Sequence, residues 1–219
     1  MTAFVLLMGM LLILGTACQG SEWQILFDGT SLEHWRGYRQ DSIPAGWSIA
    51  EDGSLSLDGE GRGDIMTREQ FGDFELMLEW KVSEAGNSGI IYRVSEDFEH
   101  SYDTGPEMQV LDNDRHPDGR NPLTSSGAVY AMYPASEEVV KGPGEWNEVR
   151  IVVQGSHVEH WLNDVMIVDY ELWTDEWRQR VADSKWSERP RYGLNETGYI
   201  CLQEHGDPVW YRNIKIRRL

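Results

Sequence analysis

Phe74-Glu75-Leu76-Met77-Leu78-Glu79-Trp80-Lys81-Val82 places Phe74, Leu76, Leu78, Trp80 and Val82 at alternate positions, with Glu75, Met77, Glu79 and Lys81 between them. Side chains along a strand point alternately to opposite faces, so a period of two predicts a β-strand with one apolar face buried. Shorter segments with strand character follow at 89–94, 107–111, 128–133, 147–154, 158–162, 165–172, 198–203 and 210–217. They are separated by Gly, Asn, Asp and Pro, and no long helical period interrupts them. Asn163-Asp164, between two of them, suits a tight hairpin turn. Only 169–185, which holds Trp173 and Trp177 with Trp186 just beyond, has the character of a short helix, read as a peripheral insertion. The expected fold is all-β, a sandwich of two antiparallel sheets with at most a short peripheral helix.

The 219 residues suffice for one domain with a sizeable core, and no internal repeat or interdomain linker divides them. With 37 acidic against 19 basic residues the formal charge is −18, which repels nucleic-acid phosphates and argues against such a partner. Ten tryptophans against five phenylalanines supply flat apolar faces suited to sugar rings, although any one of them is as well explained by core packing.

The apolar run from Ala3 to Leu14 is too short to span a bilayer and ends in Gly15-Thr16-Ala17-Cys18, the small-residue pattern of a lipoprotein signal peptide. The chain is therefore expected to divide into a signal peptide (1–17), a lipidated Cys18 with a short tether (18–22) and a sandwich (23–219). It would be exported to the periplasm or outer membrane and meet the membrane through its lipid alone. No Lys or Arg precedes the run and Gly15 stands where Leu is preferred, so an ordinary secretory peptide is the alternative. Cys201 would remain as a lone thiol, with no intrachain disulfide to support the fold.

Polar residues that interrupt apolar strands are the candidates for chemistry. In Glu107-Met108-Gln109-Val110-Leu111, Met108 and Val110 face the core, which sends Glu107 and Gln109 to the other side. Ile200 and Leu202 likewise send Tyr199, Gln203 and His205 outward, and Arg93 falls on the face of Gly89 and Ile91. If these strands are neighbours, Arg93, Glu107, Gln109, Gln203 and His205 form one polar patch. It holds a carboxylate, an imidazole and a fixed cation, the components of proton transfer with stabilised negative charge. Taken singly, each is as well read as a solvated strand position. His160 alternates with Val158 and Leu162 but competes with Trp161 for the core, so its facing stays open.

The stretch from Asp112 to Gly119 is rich in oxygen ligands but lacks the glycine and glutamate spacing of a calcium loop, so an acidic turn is expected. No cofactor is predicted, and a structural Ca²⁺ is the unsupported alternative. Zinc signatures, a phosphate-cradling glycine loop and a serine nucleophile elbow are all missing from the sequence.

The ordered segments Leu26-Phe27-Asp28-Gly29-Thr30, Asn87-Ser88-Gly89-Ile90-Ile91-Tyr92-Arg93, Gly105-Pro106-Glu107-Met108-Gln109-Val110-Leu111-Asp112, Gly144-Glu145-Trp146-Asn147, Glu159-His160-Trp161-Leu162-Asn163 and Gly198-Tyr199-Ile200-Cys201-Leu202-Gln203-Glu204-His205-Gly206 resemble the motifs of the 3-keto-disaccharide hydrolase family. The resemblance runs from about residue 23 to the C-terminus. It implies a concanavalin A-like jelly roll, found in exported proteins, acting on glycosides whose C3 hydroxyl has been oxidised to a ketone. Glu204 stands where the family more often has Asp, which preserves the charge.

A C3 ketone acidifies the C2 hydrogen, so a base removes it, the enolate is held, the C1 substituent leaves and water adds; direct hydrolysis is the other route. On this reading Glu107 or His205 is the base, Arg93 the oxyanion stabiliser and His160 a second acid/base candidate. Asn87, Gln109 and Gln203 are hydroxyl ligands, with Asp112, Tyr199 and Trp210 as further substrate-binding candidates. An upstream sugar 3-dehydrogenase would be the expected functional partner. The alternative from another class is a non-catalytic carbohydrate-binding module on the same sandwich.

Overall fold

The strand over Phe74–Val82 runs through the middle of the larger of two sheets, with its apolar face turned inward. The computed structural model describes residues 22–58 and 63–219. Residues 1–21, and with them the expected signal peptide, Cys18 and the first part of the tether, lie outside the described residues.

In chain order the strands are β1 (Gln24–Phe27), β2 (Trp35–Gly37), β3 (Trp47–Ile49), β4 (Leu55–Leu57), β5 (Ile65–Thr67), β6 (Phe74–Val82), β7 (Asn87–Val94), β8 (Glu107–Leu111), β9 (Asn147–Gln154), β10 (His157–Leu162), β11 (Val165–Glu171), β12 (Tyr199–Leu202) and β13 (Val209–Arg218). The larger sheet has the order β11-β10-β9-β6-β13-β4-β3, with β1 added alongside β13. The smaller has the order β2-β5-β12-β7-β8. All the pairings are antiparallel, so the expected two-sheet jelly-roll sandwich is what the chain forms.

Between the sheets, Phe74, Leu76, Leu78, Trp80 and Val82 of β6 pack with Ile90, Tyr92, Met108, Val110, Ile200 and Leu202 from the smaller sheet. Burial of these apolar faces holds the layers together, at about 25 cal/mol for each Å² removed from water. Asn163 and Asp164 both adopt positive φ, 50° and 66°, which is the turn that matches the right-handed twist of a two-residue hairpin.

The short strands β1 to β5 carry three or four residues each and are too brief to show a period of their own. Two local expectations need correction. Segment 128–133 is not a strand: Val129 bridges Met108 and Tyr133 singly, and Ala131 turns the chain back with φ 61°. The helix is short, α1 (Asp175–Asp183), capped by Thr174 Oγ1, which accepts from Trp177 N–H at 3.1 Å. Its surroundings are not peripheral, however. Trp177 and Trp186 enter the main core, where Trp186 stacks on Tyr192 at 4.4 Å, and Trp177 stacks on both Tyr192 and Tyr170. This aromatic stack fixes the segment against the end of the sandwich.

Candidate active site

The alternation that buries Met108, Val110, Ile200 and Leu202 sends Glu107, Gln109 and Gln203 to the outward face of the smaller sheet, as expected. That face is not open. The 121–133 segment runs along β8, with Tyr130 N–H donating to Glu107 O, and the 3₁₀ turn Lys185–Glu188 closes over it. Trp186 Nε1 donates to Tyr130 O at 2.9 Å and locks the two covers together. What remains is a cleft of about 580 Å³ floored by strand residues and walled by Tyr38, Tyr102, Tyr130 and Trp186.

Glu107 is a strongly perturbed group in the floor of the cleft. It is 4 % exposed, and among the described residues no group donates a hydrogen bond to its carboxyl. Loss of hydration raises its pKa to about 8, reinforced by the nearby charges of Asp64 and Asp118 and opposed by Lys185. The carboxyl lies across Gly89, where a Cβ would meet its Oε1 at 2.2 Å. Glycine in mid-strand is thus explained by the space that the carboxyl takes.

Gln109 Nε2 donates to Thr124 O at 3.3 Å, and Gln203 anchors the loop through its backbone, N–H to Gly89 O and C=O from Ser88 Oγ. The side-chain amide of Asn87 lies 3.4 Å from His116 Nε2, and His116 Nδ1 accepts from Asp118 N–H at 3.1 Å. His205, on the exposed loop after β12, meets the edge of His116 with centroids 6.4 Å apart.

Several cleft residues escaped sequence reasoning. Asp64 Oδ1 accepts from Glu204 N–H at 2.8 Å and its Oδ2 from Ser101 Oγ at 2.5 Å, while burial raises its pKa. His100 stacks on Tyr102 at 4.8 Å on the rim. Lys185 extends over Tyr130 and Trp186, its Nζ 4.1 Å and 4.5 Å from their ring centroids. Asp64, His100 and Lys185 come from loops without period, so no alternation marks them; a lone cation beside Trp186 was the only legible hint.

Other candidates lie elsewhere. Arg93 does not join the patch, because β7 bulges opposite Ile200: Tyr199 pairs with Val94 but Cys201 with Ile91. Arg93 takes φ 54° and turns toward Gly72 and Asp73, donating to Gly72 O from Nε and Nη2 while Trp173 covers its guanidinium at 5.4 Å. His160 is fully buried between Tyr92 OH at 3.0 Å and Gly127 O at 3.1 Å. Desolvation lowers its pKa to about 4, so it is a neutral core histidine.

Tyr199 lies beside the cleft floor with Arg36 over its ring at 5.1 Å, and Trp210 is on the outer face of the other sheet against Lys81 at 5.1 Å. Asp112 organises the acidic turn, accepting from Ala85 N–H at 2.8 Å and Asp114 N–H at 3.2 Å.

A model of the 3-keto-alpha-glucoside-1,2-lyase-like domain matches residues 22–217. The chain belongs to this family. It is 38% identical over 225 residues to a 3-keto-disaccharide hydrolase of Bacteroides thetaiotaomicron, covering 89% of this chain and 77% of that protein. A crystal structure from Parabacteroides distasonis, provisionally called a glycosyl hydrolase, superposes with a TM-score of 0.84 at 32% identity, over 90% of this chain and 94% of the other. The carbohydrate-binding module CBM66 of Bacillus subtilis shares the fold alone, with a TM-score of 0.54 at 13% identity over 84% of this chain and 95% of the module. The family expected from the sequence motifs is the family found, and with it the expectation of an enzyme stands.

Proposed function

We propose that this domain cleaves the glycosidic bond of 3-keto-glycosides or 3-keto-disaccharides, with Glu107 as the proton-transfer group. The observation that carries this reading is the Glu107 carboxyl: buried, without a hydrogen-bond partner among the described residues and lying in the floor of an aromatic-walled cleft. A carboxyl with a pKa near 8 is a far stronger base, once ionised, than one at its ordinary value, and this suits the weakly acidic C2 hydrogen beside a ketone.

In the elimination route Glu107 takes the C2 proton and the electron pair forms an enolate with the C3 oxygen. Collapse of the enolate makes the C1–C2 double bond and breaks the C1–O bond. The departing oxygen takes a proton from His205 or water, and a water molecule then adds across the double bond, so the net reaction is hydrolysis. Asn87, Gln109 and Gln203 hold sugar hydroxyls from the floor, and the aromatic walls take the ring faces. The relative's activity on 3-keto-disaccharides supports this assignment.

The test is to incubate purified protein with a 3-keto-glucoside beside the unoxidised glucoside and follow release of the aglycone. Release from the keto sugar alone, reduced at least about a hundredfold in Glu107→Gln, is expected. Binding of the unoxidised sugar without release from either would make the domain a carbohydrate-binding module. The same proposal places the protein in the cell envelope, tethered through Cys18 and supplied by a sugar 3-dehydrogenase. Cys18→Ser should then move the protein from the membrane to the soluble fraction, and equal partitioning of the two forms would refute the anchor.

A further inference from the structure

We propose that Lys185 is a catalytic residue of this cleft, its ammonium contacting the substrate's C3 oxygen and stabilising the enolate formed when C2 loses its proton. The assignment rests on the 3-keto-glycoside reading above and supplies what that chemistry requires: positive charge fixed where negative charge develops. Arg93, which the sequence placed in that role, turns away to Gly72 and Trp173. Lys185 is the one Lys or Arg among the described residues that line the cleft.

Its placement is built from both sides. Ser184 Oγ accepts from Trp186 N–H at 3.1 Å and starts the 3₁₀ turn, while Trp186 is pinned by its bond to Tyr130 O and its stack on Tyr192. The ammonium therefore rests in the corner of two rings held at 66° to each other. Aromatic faces attract a cation without neutralising it. Among the described residues no carboxylate lies within 4 Å of the ammonium and no hydrogen bond to it is formed. Its three donors are thus open to a ligand, and Glu107 shares the cleft with it.

Proton transfer from C2 to Glu107 neutralises the carboxylate and creates the enolate. The cation remains to attract the charge at its new position, and this lowers the barrier to that step. Loss of hydration also lowers the pKa of Lys185, which is consistent with an ammonium drawn toward the interior although the residue as a whole is exposed.

The experiment measures two rates on wild type, Lys185→Met and Lys185→Arg with a 3-keto-glucoside in D₂O: deuterium entry at C2 and release of the aglycone. Lys185→Met should lose about a hundredfold in both, as removal of one oxyanion-stabilising group does elsewhere, and Lys185→Arg should recover part of each. Melting temperatures should stay together because the side chain is exposed. Exchange and release within threefold of wild type in Lys185→Met, or a change confined to KM, would overturn the assignment. A wild-type protein that cleaves without C2 exchange, by contrast, would overturn the enolate and with it the role of Lys185, while leaving the glycosidase reading intact.

Discussion

Gly89 and Glu107 cannot both carry side chains in their present positions: a Cβ on Gly89 would stand 2.2 Å from Glu107 Oε1 and 2.7 Å from its Cδ. The two residues come from adjacent strands, β7 and β8, and the carboxyl reaches diagonally over the glycine. Gly89→Ala should push the carboxyl out of the cleft floor and lower kcat/KM at least tenfold. The strand itself tolerates alanine, whose smaller unfolded-state entropy offsets the crowding, so the melting temperature should move only a few degrees. Wild-type turnover in Gly89→Ala would show that the position of the carboxyl is not critical.

The raised pKa of Glu107 has a stability consequence. Between its ordinary value of 4.5 and about 8 the folded protein holds a proton that the unfolded chain releases, so stability from this group is full below 4.5 and falls as pH rises toward 8. Glu107→Gln removes this dependence. It should be more stable than wild type at pH 8, by up to about 4 kcal/mol, with the gap closing by pH 5. Denaturant midpoints at the two pH values measure it. In wild type, kcat/KM should rise with pH along a limb whose midpoint is near 8, since the ionised form is the base.

His160 and Arg93 should behave as structural residues. His160→Ala leaves a cavity beside Tyr92 and Gly127 and should cost about 2–4 kcal/mol, with kcat/KM of the folded protein within threefold of wild type. Arg93→Met should likewise lower the melting temperature and spare kcat. A hundredfold loss of kcat in either would return that residue to the chemistry.

Asp64 joins the loop that carries His205, through Glu204 N–H, to the loop that carries His100, through Ser101 Oγ. Asp64→Ala should loosen both rims. KM should rise about tenfold with a smaller effect on kcat, and the Glu204 amide should exchange with solvent faster. Unchanged exchange at Glu204 would show that the bond does not hold the loop.

Much of the floor was legible because it obeys a period. Met108 and Val110 are apolar, so Glu107 and Gln109 had to face the other way, and Ile200 and Leu202 did the same for Gln203. Arg93 failed by the same logic: one extra residue in β7 shifts everything after it, and neither Tyr92 nor Arg93 announces a bulge. His160 stayed ambiguous because both it and Trp161 are able to fill a core position, and the pairing with β9 and β11 decides which of them does.

The sequence by itself determined the sandwich, the family and the residues of the cleft floor, since each depends on alternation or on ordered motifs within a strand. Only the tertiary structure decided that the face is roofed by the 121–133 segment and the Lys185–Glu188 turn, that Asp64 clasps two rims and that Lys185, and not Arg93, lines the cleft. Those relations join residues from 37 to 140 positions apart through loops with no period. It is loop closure, driven by the aromatic stack of Trp177, Tyr192 and Trp186, that turns an exposed sheet face into a desolvated site and raises the pKa of Glu107.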